Sequence, residues 1–391
     1  MMPPLQSRRH GKTPVILQII PHLATGGAEQ GCVDVAAGIV QAGGRAIVIS
    51  NGGSKSRLHE LKRAGAVHID LPVDTKNIFT LLLNIHRLRK VIVEHQVDVV
   101  HVRSRAPAWS AFYACKYTGV PFMTTAHAPY NTQNKLKKWY NGIMARGVRV
   151  IAISNYVADY LRRTYDMGND RLRLIHRGTA PEKFHPSAVT PDRMIKLSSE
   201  WRLPEGARVI LLPGRLTRWK GQHILIKAMK HLKATDTFAL LPGPDQGRTE
   251  YAAQLHKLIA DYDLEGRVRI VGDCTDMPAA YMLAHVVVSA SIEPEGFGRI
   301  PIEAQAMGRI VIGTNHGGAC ETIMDGVTGF LVPPGDDVVL AQAIERVLDM
   351  DDASRASMGI RAIEHIHTHF TRDHMVAQTI DVYNEILTSS S

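Results

Sequence analysis

The sequence predicts an α/β protein of two doubly wound domains that face each other, and three observations support this prediction. Short apolar, β-branched runs alternate with longer segments of helical periodicity along most of the chain. Such alternation is typical of parallel sheets joined by crossover helices. It occurs twice, on either side of residues 184–206, where three prolines and a glycine interrupt the pattern. The length of 391 residues is enough for two domains of ordinary size.

The first half of the chain begins with an apolar run that we interpret as a strand. A signal peptide is the alternative, but the run is short, ends at Pro21 and lacks a following cleavage site of small residues. Helical periodicity covers residues 28–40 and 78–94. The strands predicted in this half are residues 15–20, 46–49, 97–102, 121–125 and 148–153.

The second half repeats the pattern and ends in a long helix. Helices are predicted at residues 221–230 and 250–262. The last segment, residues 371–387, is periodic as an amphipathic helix that turns Met375 and Tyr383 toward a core, together with Ile380. The strands predicted in this half are residues 209–212, 238–241, 268–271, 286–289 and 310–312.

Cysteine usage and hydropathy indicate a cytoplasmic protein. The four cysteines are scattered and form no Cys-x-x-Cys pair, which favours a reducing compartment and argues against structural zinc. No apolar run is long enough to span a bilayer. We therefore expect a cytoplasmic location, with peripheral contact at the inner face of the cytoplasmic membrane as an addition.

The charge is unevenly distributed along the chain. The overall net charge is +9, but residues 1–183 carry a net +15 and the remainder a net −6. A difference of this size indicates that the two halves meet different partners. A basic half suits nucleic acid, an anionic membrane surface or an acidic ligand.

The first candidate motif follows the first predicted strand. There Gly26 and Gly27 open a helix, and paired glycines allow a ligand to approach the backbone closely. A helix N-terminus offers N–H groups and partial positive charge, which suit a phosphate. The spacing differs from the G-x-G-x-x-G fingerprint, so we do not predict nicotinamide binding. A tight turn between strand and helix is an equally good interpretation.

The second candidate motif, residues 213–221, also connects a predicted strand to a helix. It contains Gly214 and three cations, of which Arg215 and Lys220 would lie at the strand tip and the helix entrance. The arginine fork and the lysine point charge are suited to clamping a diphosphate. A solvated charged loop is the alternative, and the combination of two glycines with three cations favours phosphate.

The third candidate motif contains two carboxylates. Gly296, Phe297 and Gly298 would form a loop whose N–H groups point outward at the start of a helix. Glu295 would lie on this loop and Glu303 in the first or second turn of the helix, both facing one crevice. Carboxylates accept hydrogen bonds from sugar hydroxyls, so one acid could hold a ribose and the other a second sugar. Surface acids are the general alternative.

These motifs resemble the donor site of retaining glycosyltransferases of family 4, which have the GT-B fold of two facing Rossmann-like domains. Glu295 and Glu303 match the family's two glutamates separated by seven residues, and Arg215 and Lys220 match its basic pair. The similarity covers most of the chain. It is strongest over residues 207–335 and weaker in the first half, as expected if acceptors differ among members.

The resemblance implies a division of labour between domains. Residues 1–183 would form the acceptor-binding domain and residues 207–370 the nucleotide-sugar-binding domain, with residues 184–206 as the linker. The final segment, residues 371–391, would cross back to the first domain as a helix. We expect the domains to close on the donor.

The resemblance also assigns roles to single residues. Glu303 would hold the ribose, and Glu295 with the loop N–H groups would hold the transferred sugar. The cations would neutralise the diphosphate as charge develops on it, without a metal ion or a separate cofactor. The donor substrate would be a UDP- or GDP-type sugar. The residues assigned to catalysis are Glu295, His127, Arg215 and Lys220. The residues assigned to donor binding are Gly26, Gly27, Gly214, Arg215, Lys220, Asp273, Glu295, Gly296, Phe297, Gly298 and Glu303.

Two residues in this set, His127 and Asp273, lie outside the three motifs described above. His127 resembles the family's active-site histidine, whereas a satisfied core histidine is the general alternative for this position. The turn around Gly272 and Asp273 is expected to touch the base through backbone groups. One departure from the family is the turn that closes the first domain, where Arg177 replaces the common asparagine. Arg177 could alter the crevice or reach an anionic group, so the acceptor is less defined than the donor.

The excess positive charge of the first half has its own interpretation. Cations that alternate with aromatic and apolar residues suit an anionic bilayer surface, and each cation near such a surface contributes about 1 kcal/mol. We therefore predict peripheral membrane contact and a glycan or lipid-linked acceptor, such as a lipopolysaccharide core or a polyprenyl-diphosphate glycan. A solvated helix face is the alternative. The residues concerned are Arg87, Arg89, Lys90, Lys135, Lys137, Lys138, Trp139, Tyr140, Ile143, Met144, Arg146 and Arg149.

Three other functions are alternatives to a glycosyltransferase. Nucleic-acid binding lacks a helix-turn-helix, finger or RNP-like pattern, so we do not predict it. A nucleotide-sugar epimerase of the same architecture would need acid and base groups beside the donor's C2. A non-catalytic sugar- or membrane-binding module would not need the full set of Arg215, Lys220, Glu295 and Glu303.

Overall fold

The structure is a computed structural model that describes residues 2–7, 11–24 and 26–389. These residues form two compact units. The first unit extends to Arg177 and also includes the residues from Arg372 onward, whereas the second comprises Gly178–Thr371. Each unit contains one parallel sheet with helices on both faces.

In the part of the first unit that the structure describes, seven parallel strands have the order β3-β2-β1-β4-β5-β6-β7. This is the doubly wound order extended by one strand, and it confirms the predicted fold class. The strands are β1 (Val15–Ile19), β2 (Arg45–Ser50), β3 (Val67–Asp70), β4 (Val99–Val102), β5 (Phe122–Ala126), β6 (Val150–Ala152) and β7 (Leu172–Leu174). The helices between them are α1 (Gly27–Gln41), α2 (Lys55–Arg63), α3 (Ile78–Glu94), α4 (Arg105–Thr118), α5 (Lys135–Asn141) and α6 (Asn155–Tyr165).

The central strands supply side chains to two cores. Successive residues of a strand point to opposite faces, so a strand covered on both sides is apolar throughout. Ile16 of β1 belongs to the core beneath α1, whereas its neighbour Leu17 belongs to the core beneath α3 and α4. All five residues of β1 are buried. This explains why β1 is a continuous apolar run rather than an alternating one.

The C-terminal helix, Arg372–Ser389, completes the first of these cores. Its predicted inward residues Met375, Ile380 and Tyr383 are all buried. The Tyr383 hydroxyl also lies 2.7 Å from Nδ1 of His101 at the end of β4. A helix that follows the entire second unit in sequence is therefore part of the interior of the first.

In the second unit, the described residues form a six-stranded parallel sheet of order β10-β9-β8-β11-β12-β13. Its strands are β8 (Arg208–Leu211), β9 (Thr237–Pro242), β10 (Val268–Gly272), β11 (Val286–Ser289), β12 (Ile310–Thr314) and β13 (Gly329–Val332). Its helices are α7 (Pro191–Glu200), α8 (Gln222–His231), α9 (Thr249–Asp261), α10 (Met277–Leu283), α11 (Arg299–Ala306), α12 (Ala319–Thr322), α13 (Asp337–Leu348) and α14 (Asp352–His369).

The segment predicted as a linker, residues 184–206, is instead a folded part of the second unit. Its prolines do not mark an extended connection. Pro186 begins a 3-10 turn and Pro191 begins α7, positions where the fixed φ of proline suits a helix start. Arg193 of α7 forms a bidentate ion pair with Asp276 just before α10. The sequence pattern correctly indicated an interruption of the strand alternation but not its structure.

Among the helices that the structure describes, none is both long and apolar enough to cross a bilayer.

Candidate functional site

The predicted donor residues of the second unit lie at the switch point of its sheet. Strands β8 and β11 are neighbours although two strands separate them in sequence, with Val286 paired to Ile210 and Val287 to Leu211. Ligands of doubly wound sheets bind outside the carboxyl ends of the strands at such a point. The loop after β8 contains Arg215 and Lys220, and the loop after β11 contains Glu295.

The loop after β8 is fixed by two glycines. Gly221 has a φ of +75° and packs its Cα against the backbone of Ala290, just beyond β11. Gly214, with a φ of +144°, lies beneath the aliphatic stem of Lys220, whose Cδ would be 3.7 Å from a Cβ at this position. Lys220 itself ends a short 3-10 turn, Arg218–Lys220. These contacts place its ammonium group toward β11.

Lys220 and Glu295 form a direct ion pair. The Lys220 ammonium donates a hydrogen bond of 2.7 Å to Glu295 Oε1, and only 11% and 18% of the two side chains are exposed. The Ser291 hydroxyl donates to the same oxygen. Burial raises the pKa of the Glu295 carboxyl, but Lys220, Ser291 and the charge of Arg215 together outweigh burial and hold the pKa below its usual value. Glu295 is therefore ionised.

Arg215 and the backbone beside it extend this cluster outward. The Arg215 side chain is exposed, while its charge still acts on Glu295. Gly214 N–H donates to Pro242 at the end of β9, and Gly243 N–H donates to Gly272 at the end of β10. The loops after three adjacent strands are thus tied together. Asp273 follows Gly272 on an exposed turn, and its contact with a base stays a prediction.

The Glu295 loop packs against Gly318, which lies in the segment after β12. Gly318 N–H donates 2.9 Å to the Glu295 carbonyl, and a Cβ on Gly318 would lie 2.3 Å from the Cα of Phe297. The Phe297 side chain is buried, with its ring centroid 5.8 Å from that of Phe370. Phe297 therefore anchors the loop through its side chain, a role the sequence did not indicate. Gly296 joins it to Glu295.

Glu303 lies in the second turn of α11, as the sequence predicted. The helix begins after Gly298, whose φ of +81° suits glycine. Glu303 is buried, and its carboxylate accepts hydrogen bonds from Arg299 and, at 3.0 Å, from the Tyr281 hydroxyl. Burial and the neighbouring Glu303 charge raise the pKa of Tyr281 well above its usual value, so the tyrosine is a fixed donor.

Three residues of this site were missed in the sequence, namely Ser291, Tyr281 and Arg299. Arg299 could have been found, because it lies four residues before Glu303 on one helix face. Tyr281 belongs to α10 and reaches Glu303 only through the tertiary fold. The structure thus brings Arg215, Lys220 and Glu295 together, with Glu303 on the helix that the same loop begins.

The first unit contains the remaining predicted residues. Gly26 is the N-cap of α1, which begins at Gly27, while Thr25 of the same motif lies outside the described residues. The Glu29 carboxylate folds back to this helix N-terminus, so that a Cβ on Gly26 would lie 2.2 Å from Glu29 Oε2. An acid is favourable there because of the helix dipole. Phosphate binding by this loop stays a prediction.

His127 follows β5 and contacts Arg177, the residue that departs from the family pattern. Arg177 Nη2 lies 2.5 Å from His127 Nδ1. Burial lowers the pKa of His127 well below its usual value, and the charges of Arg177 and Arg103 lower it further. Among the described residues, no group forms a hydrogen bond with His127 Nε2, which is buried. The histidine is neutral.

The basic segment of the first unit is only partly a surface. Ile143 and Met144, predicted to face outward, are fully buried in the core beneath α3 and α4, because the chain turns inward after α5. Trp139 and Leu136 of α5 are exposed, at 55% and 73%. Arg149 is paired with Glu385 rather than free to meet a partner.

Most of the chain matches known proteins of one class. Residues 194–365 match the family model "Glycosyl transferases group 1", and residues 25–183 match "Glycosyltransferase Family 4". A glycosyltransferase from Rickettsia africae of known crystal structure is 36% identical, with a TM-score of 0.89 over 96% of this chain and 99% of that one. The chain belongs to the group 1 glycosyltransferases.

Two further proteins are similar to this chain. The D-inositol 3-phosphate glycosyltransferase of Salinispora tropica is 28% identical over 310 residues, which cover 74% of this glycosyltransferase and 64% of the Salinispora enzyme. The structure of Anabaena HepE in complex with UDP and glucose is 22% identical, with a TM-score of 0.81 over 96% of this chain and 99% of that one. The two Rossmann-like units and these likenesses confirm the GT-B fold.

Proposed function

We propose that this glycosyltransferase moves a sugar from a nucleotide-diphospho-sugar to a glycan or lipid-linked acceptor, with retention of anomeric configuration. The observation that carries the proposal is the cluster at the carboxyl ends of β8 and β11. There Lys220 and Arg215 supply positive charge beside the ionised Glu295. Glu303 lies at the next helix, held by two fixed donors.

The cluster offers a distinct function to each part of a donor. Negative charge develops on the diphosphate as the glycosidic bond breaks, and preorganised cations are most effective where charge develops. Lys220 and Arg215 would bind this diphosphate. Glu295 has one oxygen occupied by Lys220 and Ser291, which leaves the other for a sugar hydroxyl. Glu303 would accept hydrogen bonds from the ribose after Arg299 moves aside.

Retention and independence of metal ions rest on the family resemblance. We assign no side-chain nucleophile in this site. The cations can balance the charge of the leaving diphosphate without a divalent ion. The Anabaena relative binds UDP, so a UDP-sugar is the first donor to test and a GDP-sugar the second.

The decisive experiment measures donor binding and hydrolysis with matched variants. UDP-glucose and GDP-mannose are titrated by calorimetry against the wild type, Glu295→Gln and Glu303→Gln. Glu293→Gln is the control, because Glu293 is exposed on the same loop. We expect both site variants to lose at least about tenfold in affinity or turnover while the control keeps both. Equal behaviour of all four proteins would remove the proposal.

The same assay separates the rival functions. An epimerase would convert the nucleotide-sugar without an acceptor and release no free nucleotide. A non-catalytic module would bind a sugar or a membrane without turnover. A transferase releases the nucleoside diphosphate and, with the correct acceptor, forms a new glycosidic bond of retained configuration.

We propose that the acceptor is lipid-linked and is presented at the anionic inner face of the cytoplasmic membrane. The first turns of α3 expose Ile78, Phe79, Leu82 and Leu83, at 61%, 79%, 57% and 48%. Helix α4 packs against α3, and the ring of Trp109 of α4 contacts that of Trp139 of α5 in a tilted arrangement, with ring centroids 4.5 Å apart. Lys135, Lys137 and Lys138 of α5 are exposed in the same unit. Exposed apolar groups combined with cations suit the headgroup region.

Vesicle co-sedimentation tests the membrane proposal with residues of equal exposure. Leu82→Ser removes an apolar group from α3, and Ile360→Ser removes one of the same 57% exposure from the second unit. We expect Leu82→Ser to weaken binding to phosphatidylserine vesicles and Ile360→Ser to leave it unchanged. Absence of wild-type binding at low salt would end this proposal.

An inositol phosphate, the acceptor named for the Salinispora relative, is the soluble acceptor to compare.

A further inference from the structure

We propose that Arg177 is a positioning residue that holds His127 as the neutral tautomer with its proton on Nε2, and so directs that N–H at an oxygen atom of the bound sugar substrate. The substrate part of this inference rests on the proposed function. The tautomer part concerns the protein alone and can be measured without any substrate.

The tautomer follows from the chemistry of the contact. Arg177 Nη2 lies 2.5 Å from His127 Nδ1. A guanidinium group has five N–H donors, no acceptor, and cannot lose its proton in a protein. His127 Nδ1 must therefore be the acceptor, and a neutral imidazole that accepts at Nδ1 carries its proton on Nε2.

Arg177 is held in place by two helices of its own unit. A Cβ on Gly31 of α1 would lie 2.1 Å from Arg177 Nη1, so this glycine makes room for the guanidinium. Met375 of the C-terminal helix lies 3.9 Å away through its sulfur. Only 8% of Arg177 is exposed. The guanidinium therefore has little freedom to leave His127.

The surroundings oppose a charged histidine. The groups that act on His127 are the cations Arg177 and Arg103, with His101 as a third titratable neighbour. His101 is itself buried, with a pKa well below its usual value because of burial and the same two arginines. Protonation of His127 would add a charge beside two buried cations. His127 thus serves as a hydrogen-bond donor, not as a general base, at neutral pH.

Within the described part of the chain, the N–H group at His127 Nε2 is buried and has no hydrogen-bond partner. A buried N–H group without an acceptor is costly, and a ligand oxygen at this position would satisfy it. Sugar hydroxyls provide such oxygens. A hydroxyl oxygen needs only a hydrogen bond from a neutral N–H group, whereas proton transfer would need a charged imidazole.

Nitrogen-15 NMR of the histidine rings tests the tautomer directly in the full chain. We expect the wild type to show a protonated Nε2 and an unprotonated Nδ1 for His127 from pH 8 down to the lowest pH at which it stays folded. Arg177→Met should raise the pH at which His127 titrates and populate both tautomers. Arg173→Met, which removes an arginine paired with Glu385 instead, should leave His127 unchanged. A wild-type His127 protonated on Nδ1, or titrating near its usual pKa, would overturn the proposal.

Two isosteric variants test the role of the N–H group. The amide of His127→Gln places an N–H near the position of Nε2, whereas that of His127→Asn reaches only the position of Nδ1. We expect donor turnover to fall roughly 10- to 100-fold in His127→Asn and less in His127→Gln. Equal losses in both would contradict the donor role. If the wild type turns over no nucleotide-sugar, the proposed function fails, while the NMR result still decides the tautomer.

Discussion

The backbone of Gly221 meets that of Ala290 so closely that a Cβ on Gly221 would lie 1.9 Å from the Ala290 carbonyl oxygen. This contact joins the loop after β8 to the end of β11, the two positions that carry Lys220 and Glu295. Both the positive φ and the contact require glycine.

Gly221→Ala should therefore destabilise the second unit by about 3 kcal/mol or more, because it adds a steric clash to backbone strain. Gly206→Ala is the matched control: its φ is +74°, and a Cβ there would have no atom within 4 Å. Strain alone should cost about 1 kcal/mol. Urea unfolding, with hydrogen exchange of the backbone amides in β8 and β11 as the probe, measures the loss of stability in both variants. Equal losses would show that the contact with Ala290 is not rigid.

Removing Lys220 should make the second unit sensitive to pH. In the wild type the folded pKa of Glu295 lies below its unfolded value, so its stabilisation is complete above the unfolded pKa and is lost as the pH falls. In Lys220→Met, burial acts on Glu295 without its main partner and raises the pKa. The cost should be about 3 kcal/mol at pH 7 and smaller at pH 5.

The double variant Lys220→Met/Glu295→Gln isolates that effect. It removes the unpaired buried charge, so it should recover much of the stability lost at pH 7. Unfolding free energies of the wild type, the two single variants and the double variant at both pH values complete the double-mutant cycle. A pH-independent loss in Lys220→Met would show that Glu295 does not depend on the lysine for its charge.

Tyr281→Phe should destabilise the second unit by about 1–3 kcal/mol, because the buried Glu303 carboxylate loses a donor. Tyr251→Phe is the control, since this half-buried residue's hydroxyl contacts the His223 ring at 3.1 Å and the neutral amide oxygen of Gln222 at 3.4 Å rather than a carboxylate. That change should cost less than about 1 kcal/mol. Chemical denaturation measures the stability of both variants. A larger loss of stability in Tyr251→Phe would show that the buried Glu303 carboxylate does not depend on the hydrogen bond from Tyr281.

Glu385→Gln tests how the C-terminal helix is held. Glu385 accepts hydrogen bonds from Arg173 and Arg149, and Arg173 is the larger cause of its lowered pKa. Its side chain is 36% exposed, so solvent screening limits the effect to about 1 kcal/mol at pH 7. Because the folded pKa is depressed, the wild-type advantage should shrink as the pH falls below the ordinary value of 4.5.

Salt provides the check on that prediction. At 1 M salt the difference between wild type and Glu385→Gln should nearly vanish, because exposed pairs are screened. An advantage that persists in both acid and high salt would instead indicate a packing role for Glu385.

The sequence predicted every interior strand of both sheets and the edge strand β10, but it missed the other three edge strands. These are β3, β7 and β13. An edge strand is short and partly exposed, so it needs no long apolar run; β7 has three residues with Arg173 in the middle. Helix α3 was predicted with its observed bounds, Ile78–Glu94, because seventeen residues give periodicity enough to define it.

For the site, the sequence predicted side chains that act through local motifs. Lys220 and Glu295 each lie in a glycine-rich loop after a strand, and the parallel topology brings those loops together. The contacts of Tyr281 with Glu303 and of Arg177 with His127 depend on packing between elements distant in sequence. Ile143 and Met144 were misassigned for the same reason, since the inward turn after α5 has no signal in the local pattern.

The C-terminal helix has a consequence for biosynthesis. The seven strands of the first unit emerge from the ribosome before any residue of Gly178–Thr371. The core around Tyr383 nevertheless requires the C-terminal helix, which is synthesised after the whole second unit. Domains otherwise tend to fold in the order in which they emerge. The first unit must therefore wait, incomplete, with apolar surface of β1, β4 and α1 uncovered, until the second has been made. Nascent chains stalled before Arg372 should accordingly be held by chaperones through their earliest, not their latest, residues.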